Sequence, residues 1–407
     1  MDKKLNHLKN VLHGFFLSIG TTIAEPHTIL PLIISHFGGG SVLVGLYSAL
    51  LKGGVVLIQL YAAFRAQHYP YMLKYLRRVF LVRFIAWFFI GLSIIFFGDE
   101  YPNVTLFCIG IGLFVFSFSA GFGTIYFKEI TAKIFSHKFR GKTMAIRQFF
   151  SAFGALLSGA TAGYVLSNFE APLSYGLLFI ISTFLMGFGY LAFGLVEEPI
   201  KEHLSKKENS FKLFLKNAFR ILKIDKVLQV QIFTFFFAYS YLFALPFIII
   251  DAKNSITLDG EAIGLIITSQ MIGAMFSNIL WAKLSGAGLN KRISNITILM
   301  FILAISLAFF GGSLFVYMSI FFIVGAAIDG NRIASENLIL IIAPDDKRPV
   351  YIALQNNIVS LGIFFSIVGG IILAYSSYTF LYILTISLLI LAFFSSFWLT
   401  DQTEQLK

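Results

Sequence analysis

"VGLYSALLKGGVVLIQLYAAF", residues 44–64, can be laid on "IGLIITSQMIGAMFSNILWAK", residues 263–283, at one constant offset. Gly45 meets Gly264, Gly54 meets Gly273, Gln59 meets Asn278 and Ala63 meets Ala282. Each stretch is apolar and long enough to cross about 30 Å of hydrocarbon as a helix. Small residues at matched depth are what close helix packing in lipid requires. A second pair repeats the finding. "FRGKTMAIRQFFSAFG" (139–154) lies on "KRPVYIALQNNIVSLG" (347–362), matching Arg140 with Arg348, Ala145 with Ala353, Arg147 with Gln355 and Gly154 with Gly362. The offset changes from 219 to 208 because the first half has the longer second loop. Two matches in the same order indicate a duplicated unit.

Composition sets the surroundings. The 407 residues are 57% hydrophobic and only 13% charged, with a net charge of +11. A soluble domain carries about 25% charged residues, so this chain has too few to cover a water-facing surface. Twelve spans are expected, at 10–37, 42–64, 78–98, 104–132, 143–167, 173–195, 227–250, 262–284, 293–315, 316–342, 350–374 and 377–399. The start, "MDKKLNHLKNVLHGFFLSIG", resembles a signal peptide, but its apolar run continues to Phe37 with no small-residue cleavage site, so it reads as an uncleaved first span. Cys108 is the single cysteine and has no disulfide partner.

Basic residues assign the orientation. Of the 31 lysines and arginines, all but Lys52, Lys128, Lys253 and Arg332 lie in or beside the N terminus, the even-numbered loops or the C terminus. The odd-numbered loops carry Asp99, Glu100, Glu170, Asp251, Asp259 and Glu261. This asymmetry predicts a multi-pass protein of the plasma membrane, of the bacterial inner-membrane kind, with both termini cytoplasmic. It also explains the basicity without nucleic acid. The long loop between spans 6 and 7 contains "FKLFLKNAFRILK" (211–223). Two readings stand: an amphipathic helix on an anionic membrane surface, or a solvated linker.

Twelve spans, both ends inside, a basic central loop and parallel six-span repeats resemble the major facilitator superfamily along nearly the whole chain. "RGK" after span 4 and "KRP" after span 10 resemble its cytoplasmic hinges, which makes Arg140 and Arg348 gating candidates. Loop 2–3 keeps Arg65, Arg77 and Arg78 but lacks the aspartate and both glycines of the family's loop motif. The resemblance implies an all-α polytopic fold of two pseudo-symmetric six-helix bundles, residues 1–196 and 227–407, joined by a linker at 197–226. It also implies that spans 1, 4, 7 and 10 line a central cavity while 3, 6, 9 and 12 support it.

Deep charges fall on that cavity set. An ionisable group at mid-bilayer costs on the order of 3 kcal/mol, so such groups mark sites. Span 1 has Glu25 and His27 around Pro26, which removes a backbone donor and loosens the helix. Two residues apart on a helix, Glu25 and His27 are not expected to share a face. Span 2 adds Lys52, at a depth that suits an ion pair with Glu25. Span 4 has Lys128 and Glu129. Span 10 has Asp329, Arg332 and Glu336 at i, i+3 and i+7, along one face. Glu25, His27, Lys52, Asp329, Arg332 and Glu336 are the candidates for solute binding or proton coupling; Lys128 and Glu129 are gating or ion-pair candidates, with a Lys128–Glu336 bridge as a candidate gate. Structural pairing of the same charges is the competing reading. Tyr239, Tyr241, Gln270, Gln355 and Asn356 are softer candidates for cavity polar groups.

No phosphate loop, zinc pattern or nucleophile elbow occurs, so no cofactor or metal is expected and an enzyme is not. The reading is a monomeric secondary active transporter of a small polar or ionic solute, proton-coupled, working by alternating access. A multidrug or metabolite exporter of the same fold is the alternative. A non-transporting sensor or assembly subunit is the alternative of another class.

Overall fold

The computed structural model describes residues 3–23, 25, 27–66, 69–135, 137–200, 219–344 and 348–401. Among them the regular structure is helical. The helices are α1 (Lys3–Ile23), α2 (Ile29–His36), α3 (Ser41–Ala66), α4 (Leu73–Phe97), α5 (Pro102–Ile134), α6 (His137–Asn168), α7 (Leu173–Gly194), α8 (Lys226–Ala238), α9 (Leu245–Ser255), α10 (Gly260–Gly286), α11 (Asn290–Leu307), α12 (Leu314–Ile342), α13 (Arg348–Ser360), α14 (Phe365–Tyr375) and α15 (Tyr378–Ser396). Among the described residues, eleven helical stretches are long and apolar enough to cross a membrane. The remaining span, the first, is divided into α1 and α2. Most of the 211–223 stretch lies outside the described residues, and 219–224 is helical.

The chain forms two compact units. One holds Met1–Gly39, Leu50–Lys207 and Leu258–Thr268; the other holds Gly40–Ala49, Glu208–Thr257 and Ser269–Lys407. In the first, α1 packs on α6 and α7, and α4 on α5 and α7. In the second, α11 packs on α12 and α15, and α15 on α8. The glycines matched by the repeat do matching work. A Cβ at Gly54 would lie 2.7 Å from the Phe118 nitrogen on α5, and one at Gly273 would strike the Phe322 carbonyl on α12. Gly45, in the second unit, likewise abuts the Ser366 carbonyl, and a Cβ at Gly264, in the first, would lie 2.9 Å from the Gly159 carbonyl oxygen.

The duplication also recurs in hydrogen bonds. His7 pairs with Thr143 at 2.6 Å, and 218 and 208 positions later Asp225 accepts from Tyr351 at 2.6 Å. At those same offsets, Arg147 donates to His13 at 3.3 Å and Gln231 donates to Gln355 at 2.7 Å. Glu198, just past α7, accepts from the Leu73 nitrogen at 2.6 Å, and Asp401, past α15, accepts from the Lys291 nitrogen at 3.1 Å. Each acid satisfies donors at a helix start, where four N–H groups lack intrahelical partners.

Several boundaries differ from expectation, α4 and α6 beginning at Leu73 and His137 rather than 78 and 143. Asp251 and Lys253, assigned to a loop, lie within α9. The Tyr382 hydroxyl donates to Asp251 at 2.7 Å, which lets the acid remain in the helix. The helix of the first span also begins at Lys3 rather than Asn10.

Glu198 is the most constrained acid. Its side chain is fully buried, accepts from the nitrogens of Met72 and Leu73, and pairs with Lys133 at 2.5 Å. Glu198→Ala leaves the half-buried Lys133 with only the Pro70 carbonyl and the start of α4 without its acceptor, and should destabilise the protein by about 3 kcal/mol. Glu198→Gln with Lys133→Gln should recover part of that loss in thermal unfolding.

Candidate functional site

Each unit carries its own polar cluster. In the second unit, the period of α12 aligns Asp329, Arg332 and Glu336. Gly330 lets the neighbouring helix come close: a Cβ there would lie 2.7 Å from Cε2 of Trp281, whose Nε1 donates to the Ala326 carbonyl at 3.0 Å. That contact fixes α10 against α12. Asn278, one turn before Trp281, then donates to Oδ2 of Asp329 at 2.8 Å, while Arg332 donates to Oδ1 at 3.1 Å. Arg332 reaches Glu336 more loosely, at 3.9 Å. Tyr239, in the single 3-10 turn between α8 and α9, lies within electrostatic range of both Arg332 and Glu336.

Asp329 is thus held on both oxygens, whereas the Arg332 side chain is half exposed and Glu336 more so. Arg332 offers a planar fork of donors and Glu336 offers acceptors. Together they can take a solute bearing hydroxyl, amide or carboxylate groups.

The other softer candidates separate. Gln355 is buried, accepting from Gln231 and donating to the Ser335 carbonyl at 2.9 Å and to its hydroxyl at 2.8 Å. Tyr241 is buried and stacks on Phe301 at 4.2 Å, as a packing residue does. Gln270 is buried beside Gly325, and its Oε1 makes no hydrogen bond among the described residues. Asn356 is exposed on the turn next to Gln355.

In the first unit, the helix of span 1 stops at Ile23 and resumes at Ile29. The nitrogens of Thr28 and Leu30 both donate to the Glu25 carbonyl, folding a turn over it. This corrects the expectation that Glu25 and His27 point apart. That expectation assumed a continuous helix. The break brings Glu25 Oε1 within 3.8 Å of His27 Nε2. This is ion-pair range but too long for a hydrogen bond. His27 is buried, and neither of its ring nitrogens has a hydrogen-bond partner among the described residues. Lys52 is exposed and acts electrostatically on His27. Pro26 itself lies outside the described residues. A carboxylate and an imidazole at this distance can exchange a proton through one small rearrangement or one water.

Lys128 is exposed and Glu129 half-buried on α5, and neither forms an ion pair among the described residues. Arg140 donates to the carbonyls of Ala132 at 2.9 Å and Phe135 at 3.4 Å, closing the end of α5. The side chain of Arg348 lies outside the described residues.

Sequence reasoning missed the pair of His13 and Arg147. Arginine has only donors, so His13 accepts at Nδ1 and carries its proton on Nε2. Both groups pack on Phe127, His13 at 5.3 Å and Arg147 at 5.0 Å. The alignment of Arg147 with Gln355 was the available signal. Carrying it to the first span of each half pairs His13 with Gln231.

The polar pair of the second unit makes a direct test. Gln355→Leu leaves the buried Gln231 and the half-buried Ser335 without their partner and should destabilise by about 1–3 kcal/mol. Adding Gln231→Leu should restore most of the lost unfolding temperature, because both ends of the bond are then apolar.

The Major Facilitator Superfamily model matches residues 12–254 and 230–407. Among solved structures, a D-xylose-proton symporter superposes with TM-score 0.70 at 14% identity, covering 99% of this chain and 98% of that one. The nucleoside transporter NupG superposes with TM-score 0.70 at 13% identity, covering 96% and 98%. The inward-open xylose transporter XylE from E. coli gives 0.68 at 14%, covering 98% and 96%. No curated protein matches the chain by sequence.

Proposed function

This chain belongs to the major facilitator superfamily, and from that premise we propose that it is a secondary active transporter of a small polar or ionic solute. The observation that carries the reading is the half-open ladder on α12. Asp329 is saturated by Asn278 and Arg332, while Arg332 and Glu336 keep groups to offer. Solutes handled by similar structures, D-xylose and nucleosides, are polar as well.

Proton coupling is assigned to Glu25 and His27 at the break in span 1. Protonation of either removes or adds a charge where the chain bends, which biases a two-state element. Residues 1–196 and 227–407 are the two moving bodies and 197–226 is their linker. Arg140, Arg348 and a Lys128–Glu336 bridge are its gating elements. The protein works as a monomer, without cofactor, in an inner membrane. Its termini and its basic loops face the cytoplasm, as the lysine and arginine asymmetry supports.

The test is a thermal-unfolding screen of purified protein against sugars, nucleosides, amino acids and organic anions at pH 5.5 and 7.5. It is followed by uptake into vesicles. A solute at one hundred times its dissociation constant should stabilise by about 2.7 kcal/mol. Arg332→Ala should abolish that shift. Glu25→Gln should preserve solute exchange but stop solute-driven proton movement. A solute whose binding survives Arg332→Ala places the site elsewhere. Proton movement unchanged in Glu25→Gln removes that residue from coupling.

A further inference from the structure

A groove lies outside all of these clusters, between α4 and α7 in the first unit. Its volume is about 460 Å³, within the range of about 300–1,000 Å³ usual for ligand pockets. Its walls are aromatic and aliphatic. Tyr190 is stacked on Phe80 at 4.5 Å, with Phe84 beside them. Its floor is opened by Gly187 and Gly194, and its rim by Leu191 and Leu195, both well exposed.

The polar part is confined to one end. Arg77 lines the groove there, and its Nε donates to the carbonyl of Gly194 at 2.7 Å. Its Nη groups make no hydrogen bond among the described residues. Lys9 donates to the next carbonyl, that of Leu195, at 2.6 Å. Two cations are therefore anchored on the last turn of α7, where unsatisfied carbonyls attract them. Among the described residues, no acidic one lines the groove.

We infer that this groove binds an anionic glycerophospholipid, with an acyl chain between α4 and α7 and the phosphodiester on Arg77 and Lys9. Charge complementarity selects this occupant. The groove opens on the exposed face of two helices that span the membrane, where hydrocarbon is the available filler. At its mouth a fixed guanidinium fork presents paired N–H donors to phosphate oxygens. Arg77 sits at the start of α4 and Gly194 at the end of α7, so the headgroup meets the membrane face from which α4 enters. Under the orientation proposed above, that face is cytoplasmic.

The experiment uses the full chain in mixed micelles. Unfolding midpoints are compared in phosphatidylglycerol and phosphatidylcholine, with inorganic phosphate and glycerol 3-phosphate as soluble sources of the same anion. Native mass spectrometry reads retained lipid. Wild type should gain more from phosphatidylglycerol than from phosphatidylcholine, gain nothing from the soluble anions, and retain lipid. Arg77→Gln should lose most of the difference. Because Arg77 also holds α7, Gly194→Leu serves as the second variant. A Cβ there meets only Arg77 Cγ, at 3.8 Å, an ordinary contact, so the added side chain has room at its root and occupies the groove while both cations remain in the chain. It too should lose most of the difference, whereas Arg292→Gln, a cation removed elsewhere, should keep it. A gain that persists in both groove variants is ordinary surface attraction and overturns the proposal. So does a gain reproduced by the soluble anions, or no preference for the anionic lipid.

Discussion

A hydrocarbon solvent offers no hydrogen bond. Every polar group that this chain carries into the membrane must find a partner on the chain itself or face a cavity. The architecture follows from that demand. Backbone groups are satisfied within helices. Buried side chains are joined across helices, as Gln231 is to Gln355 and Thr234 to Ser395, at 2.7 and 2.6 Å. Helix starts are closed by acids from distant parts of the chain, as Glu198 closes α4 and Asp401 closes α11. Among the described residues some buried polar atoms keep no hydrogen-bond partner, the ring nitrogens of His27 and Oε1 of Gln270 among them, while the side chains of Arg332 and Glu336 stay exposed.

Much of this was legible because lipid imposes blunt rules. Span lengths, the sidedness of lysine and arginine, and glycines at matched depth need no knowledge of tertiary contacts. Gly54 and Gly273 were expected to allow close packing because nothing larger than hydrogen fits between touching helices, and each abuts the backbone of a neighbour. The face shared by Asp329, Arg332 and Glu336 followed from helical period alone. What escaped depends on where a helix ends or on which helices touch. The meeting of Glu25 and His27 requires the break between Ile23 and Ile29, which removes the helical rule on which their separation rested. The burial of Glu198 requires α4 to start beside the end of α7, which no local pattern encodes.

The duplicated frame gives the remaining point its force. Equivalent bonds join the first and fifth spans of each half: His13 with Arg147 in one, Gln231 with Gln355 in the other. The first half has thus placed a cation where the second has a neutral amide. The break in span 1 has a counterpart as well. Moved on by 218 positions, residues 24–28 become 242–246, where the 3-10 turn at Tyr239–Phe243 gives way to α9. Both halves therefore interrupt their first span at the same place. In the second half the residues corresponding to Glu25 and His27 are Phe243 and Leu245, both buried and apolar. A bend that both copies share belongs to the fold and needs no ionisable group. Placing a carboxylate and an imidazole in only one copy is therefore not explained by the bend, and this difference between the halves is the physical argument for a chemical role at Glu25 and His27. The same comparison applies to α12. Moved back by 208 positions, Asp329 and Arg332 become Gly121 and Thr124 on α5, so the ladder too is present in one half alone. Symmetry accounts for the frame, and the departures from it are what the frame leaves unexplained.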